Sequence, residues 1–318
     1  MNVVPLYKNE INTFENMDIS KIDFPIAKGN IFGVREYESN HDGVSFRPQE
    51  IPDKVEYYRT DTGKTLGVHS KTYHNEGYVK PVQHIREAIQ EMSNKGLINI
   101  SDAIVDFQVF EEGRKLDLKI QFPNQTIEPE IGDITRLVLN HQNSWDGKWG
   151  MRNKMTGLRL FCLNGQDSPS FKMAFYAKHT KGISSDETIA RMIQSMSIMV
   201  ADFKQNEERF RSWMDKKVSR GEALELFSKT IAFQKEPVEL NYKYVNYSIN
   251  KMNDLEKLLD ANFKSCGHNL YSTYNTATEW ATHVDLKKTK GLIHNVKKNR
   301  ELALNKMFQS SYWKTLSV

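Results

Sequence analysis

The clearest hydrophobic pattern in the chain lies between residues 134 and 164, where two strand-like runs flank a polar loop. In the second run, Leu158, Leu160 and Cys162 alternate with Arg159, which is the period of two expected for a half-buried strand. The loop between the runs is rich in Asn, His, Ser, Trp, Asp and Gly. This pattern predicts a β-hairpin.

The residues around this hairpin combine one helical pattern with several strand patterns. Apolar residues at spacings of three and four predict a helix from Pro81 to Gly96. Shorter runs predict a strand over 65–73, a hairpin over 103–122 with its turn at 111–114, and a strand over 171–179. The apolar pieces between residues 22 and 58 are short and broken by Gly, Pro, Asn and Asp, so we expect loops and one or two short strands there.

Helical periodicity dominates after Gly182. A long helix is predicted from residue 185 to about residue 217, and further helices near 219–233, 248–264, 270–285 and 288–307. We therefore expect an α+β fold, with an antiparallel sheet built from hairpins, a helix on one face and a helical C-terminal region. The predicted domains are an α+β core at 1–183, which includes an irregular N-terminal segment, and the helical region at 184–318.

The composition is that of a folded protein with a polar surface. Of its 318 residues, 39% are hydrophobic and 11% are aromatic, and the mean hydropathy is −0.62. No apolar run approaches the roughly 20 residues that a membrane-spanning helix needs. The first residues carry acids where a signal peptide has cations. We therefore expect a cytoplasmic protein without a membrane partner.

The cysteines and histidines do not predict a metal site. Cys162 and Cys266 are the two cysteines of the chain and cannot form a four-thiolate zinc site, and the nine His residues include no HExxH pattern. Both thiols are expected to be buried and reduced. We therefore expect no metal.

Positive charge is concentrated in two zones of the chain. Gly132 to Lys181 holds eight Lys/Arg against three Asp/Glu, and Leu286 to Val318 holds eight against one, although the whole chain carries only +4. Two basic zones on an otherwise acidic chain favour an anionic polymer as the partner.

The predicted hairpin at 134–164 and the strand after it combine cations with tryptophans. Such a surface suits a phosphate backbone and stacked bases, although a solvated hairpin whose Trp side chains face inward is an equally good interpretation. The residues that we expect to contact nucleic acid are Lys148, Arg152, Lys154, Arg159, Lys172, Lys178, Trp145 and Trp149.

Arg152 and Arg159 are seven residues apart, so a regular strand places them on opposite faces. Because Arg159 alternates with Leu158 and Leu160, its face is expected to be the polar one, which makes Arg159 the surer groove residue. Arg152 then reaches the partner from the loop or through a bulge near Gly157.

Nucleotide-dependent and nucleophilic chemistry find no support in the motifs. GKTLG at 63–67 lacks the glycine that a phosphate-binding loop has five residues before Gly63, where Tyr58 stands, and it precedes a strand. Neither GxGxxG nor GxSxG occurs. We therefore expect no cofactor and no catalytic residue.

A metal-dependent nuclease stays open as an alternative. Asp102 and Asp106 are four residues apart, and Asp117 comes from the facing arm of the hairpin. Clustered carboxylates of this kind hold divalent cations in nucleases. The Asp-Leu-Lys sequence at 117–119 is compatible with such a strand.

Three segments of the chain resemble a phage- and plasmid-related family of unknown function found on mobile elements. LGVHSKTYHNEGYVKPVQHIREAI at 66–89 resembles the family's Leu-Gly-Val strand and the helix after it, with several residues inserted before Pro81. YSTYNTATEWATHV at 271–284 resembles its Tyr-Asn-Ala-x-Thr-Glu helix, with Thr276 where Ala is usual. NHQNSWDGKWGMRNKMTGLRLFCLNG at 140–165 supplies the remaining motif residues, which are His141, Ser144, Arg152, Arg159, Cys162 and Asn164.

The order of helix and antiparallel hairpins also resembles, at the level of the fold, phage single-strand annealing proteins of the Red beta, RecT and Erf types. This resemblance implies a non-enzymatic protein that binds single-stranded DNA and promotes ATP-independent annealing in a host cell's cytoplasm. It also implies a homo-oligomer, as a ring or a filament, formed through the sheet edge and the helical face. A further alternative is a phage protein that blocks a host defence factor. His141, Ser144 and Asn164 are the family-motif residues of this region. His141, Ser144, Asp146 and Arg152 lie in one loop and are candidates for a polar ligand cluster, or for residues that cap and hold a long loop.

Overall fold

Long antiparallel strands and a helical C-terminal region make up the chain, which was studied as a computed structural model. The structure describes residues 12–39, 43–160, 164–166, 174–179, 186–283 and 293–317. The α+β class and the helical C-terminal region predicted from the sequence are confirmed.

The strands of the described residues are mostly joined as hairpins. They are β1 (Asn12–Thr13), β2 (Ile26–Ser39), β3 (Gly43–Arg59), β4 (Thr65–Ser70), β5 (Ile104–Phe110), β6 (Lys115–Ile127), β7 (Thr135–Ser144), β8 (Met151–Arg159), β9 (Asn164–Gln166), β10 (Ala174–Ala177), β11 (Phe233–Leu240) and β12 (Lys243–Tyr247).

The helices lie mainly after residue 185. They are α1 (Val79–Asn94), α2 (Asp186–Asp215), α3 (Arg220–Lys229), α4 (Ile249–Cys266), α5 (Leu270–Thr282), α6 (Ile293–Gln309) and α7 (Ser311–Ser317). Over the described residues, no helix combines the length and the apolar character needed to cross a bilayer.

The strands form three sheets in the described part of the chain. The largest has the order β1-β5-β6-β7-β8-β10, and β9 pairs with β8 beside this path. β2, β3 and β4 form the second sheet, and β11 and β12 form the third. All the pairings with a defined register are antiparallel, as the hairpin pattern predicts.

The chain divides into two compact units. The first unit contains Met1–Gln121, Leu139–Lys154 and Ala174–Ser197, and the second contains Phe122–Val138, Met155–Met173 and Ile198–Val318. The domain boundary predicted after residue 183 stays a prediction.

The core of the first unit comes from α1 and the hairpin of β5 and β6. Val82, Ile85 and Ile89 are buried on one face of α1, as their spacing predicts. On β5 and β6, apolar side chains alternate with polar ones and are buried, as in the pair Phe107 and Leu118, which lie opposite each other.

The core of the second unit surrounds α5, which is buried on nearly all sides. A helix with this burial pattern lies inside its unit rather than on the surface. Aromatic rings from α2, α6 and α7 form one cluster with the two tyrosines of α5. Neighbouring rings in the cluster lie within 6.5 Å of each other, centroid to centroid, and its members are Phe210, Trp213, Tyr271, Tyr274, Phe308 and Trp313.

The ribbon formed by β2 and β3 differs from the short strands expected between residues 22 and 58. Its strands are 14 and 17 residues long. Many of its side chains, including the apolar Phe32 and Val34, are exposed. Val55 and Tyr57 are its buried residues among those described, and a strand that buries so little shows no clean alternation of apolar and polar residues, which hides it from pattern analysis. The exposed hairpin of β11 and β12 was missed for the same reason.

Arg159 differs from the exposed groove residue that the sequence predicts. Its side chain is 3% exposed and donates to both carboxylate oxygens of Asp133, at 2.5 and 3.0 Å. The Tyr271 hydroxyl donates to the same carboxylate at 2.8 Å. The alternation of Arg159 with Leu158 and Leu160 predicted an exposed face for Arg159. However, β8 is buried on both faces over most of its length, so a polar residue there meets a buried partner rather than solvent.

Replacing Arg159 tests this assignment. We expect Arg159→Met to lower the free energy of unfolding by about 3–5 kcal/mol, because Asp133 would be left buried without its cation. Urea denaturation measures the change. The control is Arg220→Met, which breaks an exposed ion pair with Asp260 and should leave the midpoint nearly unchanged. Equal losses in the two variants would contradict a buried structural role for Arg159.

Candidate nucleic-acid interface

The hydroxyl of Ser144 closes the loop between β7 and β8. It donates to the carbonyl oxygen of Trp149 and accepts from the backbone N–H of Trp149, each at 3.0 Å. A second donor, His179 Nε2, bonds to the same carbonyl oxygen at 3.0 Å. The sequence resemblance singled out Ser144 as a ligand candidate. In the structure its hydroxyl holds the two ends of this loop together through the backbone of Trp149.

A buried ion pair fixes the tip of this loop. The ammonium of Lys115 is fully buried, lies 3.0 Å from the carboxylate of Asp146 and 2.5 Å from that of Glu111. Burial raises the pKa of Asp146, but hydrogen bonds from the backbone N–H of Lys148 and from Lys115 outweigh it, so the net pKa is lowered. Asp146 is therefore ionised at neutral pH, and it shares the ammonium of Lys115 with Glu111.

The segment before α1 holds the loop from its other side. His69 Nε2 bonds to the carbonyl oxygen of Trp145 at 2.6 Å, and the side-chain amide of Asn75 donates to that of Ser144 at 2.8 Å. The ring of Tyr73 stacks on His69 at 3.7 Å between centroids. The structure thus brings two of the segments that carry the sequence resemblance into direct contact.

The contact between β4 and the loop requires a glycine at position 67. A Cβ at Gly67 would overlap the imidazole of His69 and the carbonyl oxygen of Trp145. Only a residue without a side chain lets the strand β4 approach the loop this closely.

A buried polar group lies beneath the loop. His141 and Asn153 are fully buried on adjacent strands and bond through Nδ1 and Oδ1 at 2.6 Å. Among the residues that the structure describes, His141 Nε2, Asn153 Nδ2 and the Nδ1 of His179 have no hydrogen-bond partner. Burial lowers the pKa of His141 and of His179 to about 4, so both are neutral at pH 7.

The opposite face of the same strands carries an exposed tyrosine. Because Asn153 faces inward, its neighbour Arg152 projects from the other face of β8. β10 pairs with β8 so that Tyr176 lies directly opposite Arg152. Tyr176 is 58% exposed, whereas its neighbour Phe175 is buried. The aromatic ring of Tyr176 lies against Gly150, where a Cβ would come within 2.7 Å of it.

Three cations lie on or beside strands β8 and β10, which pair at this tyrosine. Lys178 is exposed one position beyond the last paired residue of β10, Lys148 is exposed at the tip of the loop, and Arg152 is half-buried. We call Lys148, Arg152, Tyr176 and Lys178 the edge strip. Asp146, whose carboxylate accepts from the backbone N–H of Lys148, shares the ammonium of Lys115 with Glu111, so these three side chains keep a net negative charge beside the edge strip.

Besides Arg159, three of the predicted contact residues are buried, and the expectation of an exposed surface is wrong for them. Trp145 and Trp149 lie inside the first unit, and the ammonium of Lys115 is 5.9 Å from the ring centroid of Trp149. Lys154 is also buried. Lys154 lies on β8, which is covered on both faces over most of its length, so its stem packs inward, whereas the two Trp side chains belong to the loop before β8.

The other predicted residues are only partly described. Asn164 begins β9 and pairs with Arg159. Lys172 and Cys162 lie outside the described residues. Tyr176 was missed from the sequence, although the pair Phe175-Tyr176 signals that one of two adjacent aromatic rings must leave the core when a strand alternates.

The acids considered for a nuclease lie at the other end of the sheet order. Asp106 lies opposite Lys119 and Asp117 lies opposite Gln108, so all four side chains share one face of β5 and β6. Asp102 lies in the turn that precedes β5. Over the described residues, no group of three or more His, Cys, Asp or Glu side chains could hold a metal ion.

The buried histidines predict a pH-dependent stability. An unfolded histidine has a pKa near 6.5 and takes up a proton well before His141 does in the folded chain. Stability is therefore fully present above about pH 6.5 and is lost as the pH falls toward 4, by up to about 3 kcal/mol for one such histidine. Urea denaturation at pH 7.5 and at pH 4.5 measures this difference.

His141→Gln should flatten this dependence, because glutamine keeps a polar side chain but does not titrate. The control His283→Gln changes an exposed histidine and should keep the slope of the unaltered chain. A slope that is the same in all three proteins would contradict the role given to His141.

Comparison with known proteins gives one family. No curated protein and no solved structure matches the chain. The model of a domain of unknown function, DUF932, matches residues 65–303. This range includes the edge strip, the loop between β7 and β8 and the buried helix α5. The chain belongs to the DUF932 family.

Proposed function

We propose that the protein binds single-stranded DNA through the edge strip and promotes ATP-independent strand annealing for a phage or another mobile element. The observation that carries the proposal is the exposed ring of Tyr176 among Lys148, Arg152 and Lys178. An exposed ring offers a stacking surface to any base, and the cations offer contacts to phosphates.

The arrangement suits annealing because it leaves the pairing edges of the bases free. A ring that stacks on one base and cations that contact the backbone do not occupy the hydrogen-bonding edges. A protein with this task works without nucleotide hydrolysis, in agreement with the absence of a phosphate-binding loop from the sequence. The site of action in this proposal is the cytoplasm of the host cell.

The proposal includes a homo-oligomer, either a ring or a filament. Phe32, Val34 and Ile51 are exposed apolar residues on the ribbon of β2 and β3. Beyond the residues of β3 that pair with β4, the described ribbon consists of β2 and β3 alone, and a two-stranded ribbon is only marginally stable by itself in water. A second copy of the chain that covers these residues would stabilise it.

A metal-dependent nuclease is the second candidate. The register of β5 and β6 favours it, because Asp106, Asp117 and Lys119 share one face. It ranks lower because Lys119 lies directly opposite Asp106 and because two carboxylates are few for a two-metal site.

The central test replaces Tyr176. We expect Tyr176→Ala to weaken binding of a fluorescein-labelled oligothymidylate by about 5- to 100-fold, since one stacked base contributes roughly 1–3 kcal/mol. Tyr176→Phe keeps the ring and should bind like the unaltered chain. Fluorescence anisotropy measures all three affinities, and repeating the titrations at several salt concentrations should give a log–log slope of about −0.7 for each phosphate contact.

The matched control is Tyr244→Ala. Tyr244 is a tyrosine 74% exposed on a strand of the second unit, so its loss tests whether any exposed ring suffices. Equal weakening by Tyr176→Ala and Tyr244→Ala, or an affinity that does not change with salt, would contradict binding at the edge strip.

The same oligonucleotide decides between the two candidates. We expect no cleavage of single- or double-stranded DNA in the presence of magnesium or manganese, as measured on denaturing gels. Cleavage that disappears in Asp117→Asn and persists in Tyr176→Ala would reverse the ranking in favour of the nuclease.

A further inference from the structure

The ribbon of β2 and β3 presents an exposed apolar surface on one of its faces. Phe32 lies opposite Glu50 and Val34 lies opposite Pro48, and residues directly opposite each other in a sheet share a face. All four are exposed, and the two large apolar side chains keep 57% and 68% of their surface in water. We call Phe32, Val34, Pro48 and Glu50 the ribbon patch.

The part of the ribbon that carries this patch is acidic. Residues 31–53, which lie beyond the pairing with β4, hold two Arg against five Asp/Glu. A segment with this charge repels phosphate groups, so the ribbon patch does not suit a nucleic acid. It suits a partner surface that combines apolar contacts with positive charge.

Helices α6 and α7 present that combination. Their described residues, 293–317, hold five Lys/Arg against one Glu. Leu302, Lys306 and Gln309 are exposed at spacings of four and three, so they form one stripe on α6. Tyr312, at the start of the next helix, is also exposed. We call Leu302, Lys306, Gln309 and Tyr312 the helix patch.

We propose that the ribbon patch of one chain docks on the helix patch of a second copy. The apolar side chains of the two patches contact each other, and the carboxylate of Glu50 meets the ammonium of Lys306. Both patches are exposed in the chain, so a covering partner comes from outside it. This inference rests on the homo-oligomer of the proposed function and gives that oligomer its interface.

The contact joins two different surfaces, so it is heterologous. Each chain uses its ribbon patch on one neighbour and its helix patch on another, and contacts of this kind either close into a ring or continue as a filament. A covered ribbon is also more stable than a two-stranded ribbon in water. No residue of the edge strip belongs to either patch, so DNA binding and assembly use separate surfaces.

Sedimentation velocity over a range of protein concentrations tests the contact. We expect assemblies larger than a dimer that dissociate as salt is added, because salt screens exposed charges. Glu50→Lys and Lys306→Glu should each raise the dissociation constant by about 10- to 100-fold, because like charges then face each other.

Two matched controls should assemble like the unaltered chain. Glu15→Lys reverses an exposed acid outside the ribbon. Lys264→Glu reverses a lysine in the last turn of α4, just as Lys306 lies in the last turn of α6, so both changes carry the same penalty at a helix end.

An equimolar mixture of the two charge-reversed chains separates this contact from a contact between two ribbons. In the mixture, each ribbon patch can meet a helix patch of opposite charge, so the mixture should assemble although neither variant does so by itself. A contact between two ribbons would leave Lys306→Glu assembling normally. That result, or a mixture that stays dissociated, would overturn the proposed contact.

Circular dichroism checks that the variants fold. For a reversal that does not fold, Glu50→Gln or Lys306→Gln takes its place, and it should weaken both the assembly and its dependence on salt. Assembly that is unchanged in the folded variants of both patches would overturn the inference.

Fluorescence anisotropy with a short oligothymidylate separates this inference from binding at the edge strip. Glu50→Lys and Lys306→Glu should bind it like the unaltered chain. Weaker DNA binding by Lys306→Glu with unchanged assembly would assign the helix patch to DNA and overturn the inference. A chain that stays monomeric at every concentration would overturn it together with the homo-oligomer, whereas binding at the edge strip is decided separately by Tyr176→Ala.

Discussion

The buried ammonium of Lys115, held between the carboxylates of Glu111 and Asp146, is the constraint on which the proposed interface depends. A charge in the interior must be neutralised by nearby partners, because its desolvation is otherwise too costly. Asp146 is therefore drawn inward at the tip of the loop between β7 and β8. Among its neighbours in the loop, Trp145 is buried and Lys148 is exposed.

The loop is restrained by several independent contacts, and this matters for binding. Ser144, His69 and Asn75 each bond to its backbone. A surface that is already ordered loses little conformational entropy when a ligand arrives. Two glycines make these contacts possible. Gly67 allows β4 to approach the loop, and Gly150 leaves room for the ring of Tyr176 to pack against the backbone. Ser144 and His141, which the sequence suggests as ligand-binding residues, therefore hold the loop and the strands beneath it in place.

The sequence predicted the fold class and the elements whose two faces differ. The hairpin of β5 and β6 and the helix α1 bury one face each, so their periodicities were visible. The ribbon of β2 and β3 was missed because it buries little, and β8 misled because it buries both faces. Whether Arg159 meets solvent or Asp133 depends on contacts between distant segments, which periodicity does not contain. Tyr176 could not be told from Phe175 by pattern alone, because either ring of the pair could be the one that faces the core.

Photo-crosslinking locates the bound strand most directly. An oligothymidylate that carries 4-thiothymidine at each position would be irradiated with the purified chain, and the modified residues would be identified by mass spectrometry. We expect crosslinks concentrated on Tyr176 and on the peptide from Trp145 to Arg152, and their loss when unlabelled oligothymidylate competes. Crosslinks confined to the basic C-terminal zone after Leu286, with none in the edge strip, would contradict binding at the edge strip.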